Sequence, residues 1–374
     1  MRLLLTHPYF WPHVRRGAER EIHDLGTGLV ARGHQVRLLT GQPHGVTRRA
    51  DIDGLRVRYV RTPVPGPLAR RGVSTPAAFG AVAAAGAALS RSDAVLSFLY
   101  ADAYGATLAG RLPHRRGVPV VAKLTGTVLP ERITHEPVER ALFRRALDAA
   151  TEVWCNSAYA RDVMADFGVR MRIVPAGFDP DVFRPVGERA ATPTVFCASA
   201  PDEPRKRVVD LVRAWPAIRD GLPGARLVLA GHASAATREQ LLAELPEPLR
   251  GEVTFAGLLA DAALAAAYSS ATVVVAPSVH EALGLVVLEA LACGTPVAGA
   301  DSGATPELLG TPGTGALFAP LDPDACARAV LVAAVLAADP ATRDRCRAAA
   351  APWAWPAIVD RVEERLTTLR TGRA

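Results

Sequence analysis

Short, almost wholly apolar runs recur along the chain, and each is followed by a stretch with a helical stripe. RLLLT (2–6) and QVRLLT (35–40) are too short for helices and too uniformly apolar for a half-exposed sheet. Runs of this kind suit strands buried on both faces, as in a parallel sheet covered by helices. Between the two runs, Gly17 to Arg32 sets Ile22, Leu25, Leu29 and Val30 along one helical face and stops at Gly33. Further strands are predicted at AVLSFL, VPVVAKL, EVWCNS and MRIVPAG, with helices around 102–112, 137–149 and 157–167. DIDGLRVRYV (51–60) reads as a turn feeding a strand.

A second series opens near Thr194 with TVFCAS, ARLVLAG, VTFAGL, ATVVVAPS and TPVAGA, separated by helices near 206–219, 236–246, 260–269 and 284–293. The 374 residues exceed what one hydrophobic core usually serves. The predicted fold class is therefore α/β, with two doubly wound parallel-sheet, Rossmann-like domains facing across a cleft. The Pro-rich segment 175–193 reads as the linker, which divides the chain into 1–185 and 186–353. Ligands in such sheets bind at the carboxyl ends of the strands.

Charge is unevenly spread. Residues 1–185 carry 26 Lys+Arg against 16 Asp+Glu, while 186–374 carry 17 against 21. The basic half suits an anionic partner, or is simply an arginine-rich solvated surface. No basic stripe interleaved with aromatics appears, so nucleic acid is not expected. Of 43 basic residues only two are lysines, Lys123 and Lys206, so each is a candidate for a task needing a compact ammonium. Five widely spaced cysteines without a C-x-x-C pair read as reduced packing residues. No apolar run approaches the roughly 18–20 residues of a membrane span. The expected location is the cytoplasm, and the basic N-terminal domain allows peripheral contact with the inner membrane surface. The D-x-D triplets at 51–53, 179–181 and 322–324 sit among turn formers, and the histidines lack metal-ligand spacing. Neither a G-x-G-x-x-G fingerprint nor a P-loop is present. In the helix predicted over 137–149, the arginines of ERALFRRALDAA read as a solvated face.

HEALGLVVLEALACGTPV (280–297) follows the strand ATVVVAPS and should lie at the cleft. A helix from about Gly284 to Gly294 would be apolar all round, so the carboxylate of Glu289 needs buried donors, either ligand hydroxyls or an arginine. Glu281 lies ahead of that helix, beside His280. Gly284 lets a ligand approach, and the amides of Gly284, Leu285 and Val286 open the helix and suit an anion. A nucleotide sugar offers hydroxyls, a diphosphate and a ribose in that order.

This stretch resembles the E-x7-E signature of retaining glycosyltransferases of family 4, which have the GT-B fold. HPYFWPHVRRGAEREIHDLGTGLVARGHQVRLLT resembles the family's first strand, Gly-rich loop and helix. VPAGFDPDVFRP, DEPRKRVVDLVRAW and DSGATPELL resemble its linker, its phosphate-binding turn and a later loop. The resemblance implies an acceptor-binding N-terminal domain and a donor-binding C-terminal one. It also implies a helix over about 354–370, with Ile358, Val362 and Leu366 on its apolar face, that returns to the N-terminal domain. It assigns Glu281 to the donor sugar's hydroxyls, Glu289 to the ribose and Lys206 to the diphosphate, with Arg205 or Arg207 in place of the family's arginine, which Ala200 replaces. Gly17 belongs to the donor loop. Arg16 stands where the family has a second glycine, and either contacts the diphosphate or narrows the acceptor site. Thr125 and Gly126, with Lys123 just before, replace a family His-Gly in the sugar cleft. The implied activity is retaining transfer from a UDP- or GDP-sugar to a hydroxyl of a sugar, lipid-linked or small-molecule acceptor, with no cofactor and no metal. The rival readings are a sugar-nucleotide epimerase, a phosphorylase, and a nucleotide-sugar-binding protein without transferase activity.

Overall fold

Every apolar run named above is a strand in the computed structural model of the chain, which describes residues 1–12, 17–42, 47–62, 75–126 and 137–372. The chain separates into two units, Met1–Ala176 with Trp355–Ala374, and Gly177–Ala354.

The first unit is built on an eight-stranded sheet. In chain order the strands are β1 (Arg2–His7), β2 (Gln35–Gln42), β3 (Arg48–Ile52), β4 (Leu55–Arg61), β5 (Ala94–Ser97), β6 (Val120–Lys123), β7 (Glu152–Cys155) and β8 (Met171–Ile173). Their order across the sheet is β3-β4-β2-β1-β5-β6-β7-β8. All neighbours are parallel except β3 and β4. The sequence reading gave that pair as one strand after a turn. It is a hairpin, because Asp53 (φ 53°) and Gly54 (φ 81°) both take the left-handed conformation of a two-residue turn. Helix Gly17–Ala31 buries Ile22, Leu25 and Leu29, as its stripe predicts. Helix Thr75–Leu89, TPAAFGAVAAAGAAL, escaped the sequence reading because without a polar face it has no periodicity to detect.

The second unit carries β9 (Thr194–Ala198), β10 (Arg226–Ala230), β11 (Val253–Gly257), β12 (Val273–Ala276), β13 (Val297–Ala300) and β14 (Gly315–Phe318). They form one all-parallel sheet in the order β11-β10-β9-β12-β13-β14. The chain winds outward from β9 to β11, then returns to the other side of β9 for β12. The adjacent strands β9 and β12 mark the topological switch point, where the loops that follow them diverge and leave a crevice.

The second unit begins earlier than the linker reading suggests, at Gly177 rather than 186. Phe178 bridges to Ala354 and its amide donates to the Trp353 carbonyl at 3.3 Å. Phe183 is buried with its ring 6.3 Å from that of Tyr268. The C-terminal helix Trp355–Thr371 packs on the first unit with Ile358, Val359, Val362 and Leu366 buried. Trp355 donates from its indole to Asp24 at 3.0 Å, Arg32 pairs with Asp360, and Arg365 pairs with Glu152.

The three D-x-D triplets are used locally. Asp51, Asp179 and Asp322 accept the amides of Gly54, Asp181 and Ala325, each at 2.9 Å, and Asp322 thereby caps helix Pro323–Ala338. All five cysteines are buried and free. In helix Pro137–Ala149, Phe143 is buried while Arg140, Arg144 and Arg145 are exposed. Among the described residues no single helix is long and apolar enough to cross a membrane.

Candidate active site

In the second unit, the residues carrying the strongest sequence signal lie in the two loops that flank the switch point. The loop after β9 closes with a single 3-10 turn, Pro204–Lys206. The helix that follows starts at Val208, two residues later than the periodicity predicts, because Arg207 adopts a left-handed φ of 50°. Arg207 is committed to Asp210 by two bonds of 2.8 Å. Its neighbours turn the other way: Lys206 Nζ lies 2.6 Å and Arg205 Nη1 3.0 Å from the same Glu281 Oε1. Arg205 also reaches Glu203 at 3.0 Å.

The loop after β12 is held against this turn, since the Val279 amide donates to the Arg205 carbonyl at 2.9 Å. His280 is an exposed loop residue with φ 58°, and its amide donates to Ser302 Oγ at 3.2 Å. The DSGATPELL segment buttresses Glu281 from behind. The Ala304 amide donates to the Glu281 carbonyl at 3.0 Å, and a Cβ on Gly303 would come within 2.6 Å of Glu281 backbone atoms. Burial opposes ionisation of Glu281, but Lys206, Arg205 and a Ser278 hydrogen bond outweigh it and hold the carboxyl below its usual range.

Gly284 stands immediately before helix Leu285–Ala292 with φ 94° and ψ 61°, a conformation only glycine adopts without strain. The first amides of that helix have no carbonyl four residues back to pair with, so Leu285 and Val286 present donors there. Glu289 sits one turn further on, 4% exposed. Its Oε2 accepts from the Tyr268 hydroxyl at 3.1 Å, so the donor is a phenol, which the sequence reading did not foresee. Burial, then the Glu289 charge, push the Tyr268 hydroxyl well above its ordinary pKa.

In the first unit, Gly17 opens helix Gly17–Ala31, and a Cβ there would meet nothing within 4 Å among the described residues. Arg16 lies outside the described residues. Lys123, at the end of β6, is 1% exposed. Its ammonium lies 3.0 Å from Glu21 Oε1 and donates to the Asn156 side chain and, at 2.6 Å, to the Val174 carbonyl. Lys123 therefore does not present a cation to a sugar cleft. It fastens the ends of β6, β7 and β8 to the first helix. Asn156 in turn donates to the Thr125 carbonyl at 2.9 Å, which fixes the start of the Thr125-Gly126 loop.

Sequence reasoning missed a second buried cluster, under the switch point between β1 and β5. Thr6 Oγ1 donates to Asp102 Oδ2 at 2.6 Å and lies 2.7 Å from Ser97 Oγ. Asp102 is fully buried, and burial pushes its pKa up to about 8 against the opposing Thr6 bond and local amides. The signal was a lone carboxylate in the apolar stretch FLYADAYG.

Chemically, the second unit offers two cations and a run of helix-start amides for an anion, with carboxylates on either side. Among the described residues no group of three His, Cys, Asp or Glu converges as a metal site.

Comparison with known proteins agrees with this architecture. Residues 15–182 match the model described as Glycosyltransferase Family 4, and residues 192–334 match Glycosyl transferases group 1. The chain is 31% identical over 352 residues to the GDP-mannose-dependent alpha-(1-6)-phosphatidylinositol dimannoside mannosyltransferase of Mycobacterium tuberculosis, covering 88% of this chain and 87% of that one. It superposes on sucrose-phosphate synthase from Thermosynechococcus elongatus with a TM-score of 0.79 at 22% identity, over 99% of both chains. It superposes on Anabaena HepE in complex with UDP with a TM-score of 0.74 at 18% identity, over 98% and 100% of the two chains. The chain belongs to the group 1 and family 4 glycosyltransferases, on the GT-B fold.

Proposed function

We propose that this glycosyltransferase takes its sugar from a nucleotide sugar, UDP- or GDP-linked, and passes it with retention of anomeric configuration to a hydroxyl of a sugar, lipid-linked or small-molecule acceptor. The observation that carries the reading is the convergence of Lys206, Arg205 and Glu281 at the β9/β12 switch point, directly before the amides of Leu285 and Val286. A diphosphate needs such a set: an ammonium, a guanidinium and unpaired amides, all preorganised for negative charge. In this reading Lys206 and Arg205 hold the diphosphate, Glu281 the sugar hydroxyls and Glu289 the ribose. The bond from the anomeric carbon to the leaving phosphate breaks. A bond to the acceptor oxygen forms on the same face, and the acceptor's proton passes to the departing phosphate. Charge developing on that phosphate is met by Lys206 and the helix-start amides, so no metal is invoked. Within the first unit, Lys123 positions the Thr125-Gly126 loop through Asn156. GDP-mannose, the donor of the Mycobacterium tuberculosis relative, is the first to test. We place the reaction in the cytoplasm, with the basic first unit meeting an anionic membrane surface.

Incubation with a panel of UDP- and GDP-sugars, following release of the free diphosphate, tests the donor class. One donor should be hydrolysed slowly in water, at a rate unchanged by EDTA, and proton NMR of a transferred product should show the donor's anomeric configuration. No release from any donor refutes the nucleotide-sugar reading. An inverted product refutes retention, and loss of rate in EDTA refutes metal independence.

A further inference from the structure

Between Asp24 and Asp93 the chain carries ten arginines and only two carboxylates, Asp51 and Asp53. The pairing register gathers four of those arginines on one face of the first unit's sheet. Arg37 on β2 lies beside Arg56 on β4, and Arg58 on β4 lies opposite Arg49 on β3. Like charges directly opposite one another destabilise a sheet. Asp51, opposite Arg56, is the single acidic neighbour in this register, and its Oδ1 already accepts the Gly54 amide. All four arginines are exposed, and none is in an ion pair among the described residues. Arg48, whose partner in the register is Tyr59, shows the contrast: it lies over that ring at 4.5 Å.

The four arginines line one wall of a groove of about 830 Å³. Its floor includes Leu39 and Val60. The other wall is helix Thr75–Leu89, which has no polar side chain after its first residue. Ala81, Ala85 and Leu89, one above the other at four-residue spacing, are exposed there, Leu89 to 84%. A helix that is apolar all round belongs in a core or against lipid, yet this one leaves hydrocarbon in water beside uncompensated positive charge.

We infer that this groove seats an acidic phospholipid of a bilayer surface. The guanidinium groups of Arg37, Arg56, Arg58 and Arg49 take the headgroup phosphate, in the bidentate fashion that arginine favours. The Ala81–Ala85–Leu89 stripe meets the acyl region. A nucleic acid fits less well, because among the described residues no aromatic side chain lines the groove to stack a base, and the apolar wall would gain nothing. The inference deepens the membrane part of the proposed function and is independent of the donor chemistry.

Flotation of the full-length protein with vesicles of phosphatidylcholine, with and without phosphatidylglycerol, tests it. The protein should float with the acidic vesicles and not with the neutral ones. The double variant Arg37→Gln/Arg58→Gln should bind roughly 25-fold more weakly, about fivefold per arginine. Leu89→Ser should weaken binding with the charges intact. Hydrolysis of a soluble donor should be unchanged in both, which separates this inference from the transferase reading. The thermal midpoint of the arginine variant should equal or exceed that of the wild type, because two like-charge pairings have been relieved. Equal binding of wild type and double variant overturns the inference, as does equal flotation with neutral vesicles. Release of the bound protein by soluble glycerol phosphate as effectively as by acidic vesicles overturns it in favour of a small-anion seat, and by heparin in favour of a polyanion surface.

Discussion

Replacing Glu281 with glutamine should move two measurements in opposite directions. In the free protein Lys206 and Arg205 both lean on one carboxylate oxygen, at 2.6 and 3.0 Å. A diphosphate that takes those cations must first displace the carboxylate. A hydrogen bond to a charged group contributes about 1.5–3 kcal/mol. Here the Lys206 and Glu281 side chains are each 18% exposed and Arg205 is 46% exposed, so solvent screening lowers the figure. A displacement cost of about 1–2 kcal/mol remains, a factor of roughly 5 to 30 in affinity. Glu281→Gln keeps the shape but offers the cations only a neutral competitor. Calorimetry should therefore show free GDP or UDP binding that much more tightly. Steady-state transfer should fall instead, since the proposed acceptor for the donor's hydroxyls has lost its charge. A variant that binds the free diphosphate no more tightly than wild type refutes the displacement argument, whatever happens to turnover.

Lys206→Ala should lose about 3 kcal/mol of transition-state stabilisation, near two orders of magnitude in kcat, and near-normal rates at saturating donor would contradict its role. Asp102, with its pKa pushed up to about 8 by burial, keeps its proton in the folded state while the unfolded chain releases it near 4. The folded chain thus binds more protons between those values, so stability should fall as pH rises from about 4 to 8, by up to roughly 5 kcal/mol. Asp102→Asn should flatten that slope in denaturant titrations, and parallel pH curves for variant and wild type would refute the assignment.

The architecture was legible because its strands are buried on both faces and so are written as short apolar runs. What the sequence hid were elements without contrast. Helix Thr75–Leu89 is nearly uniform in alanine and glycine, and β14 is only GALF. The unit boundary at Gly177 was hidden for another reason. The segment 177–185 looks like a linker by composition, yet it is fixed by long-range contacts of Phe178 and Phe183 that no local pattern announces. In the candidate site, residue types were readable but couplings were not. Glu281 and Lys206 stand 75 positions apart and read as independent ligands until folding joins them.

The two lysines show how far a compositional signal carries. In a chain that writes nearly all its positive charge as arginine, both were singled out as sites needing a compact ammonium, and both hold a carboxylate at close range. The signal could not say whether the ammonium faces a ligand or the interior. Lys123 ends a strand inside its sheet, where it donates to Asn156 and a strand-end carbonyl and its charge is met by Glu21 from the covering helix. Lys206 follows a strand at the switch point, where the loops part, and the carboxylate it holds is itself partly open to water. Strand order, which emerges only from long-range pairing, separates a lysine that clamps the fold from one that stands at the crevice beside a partly exposed carboxylate.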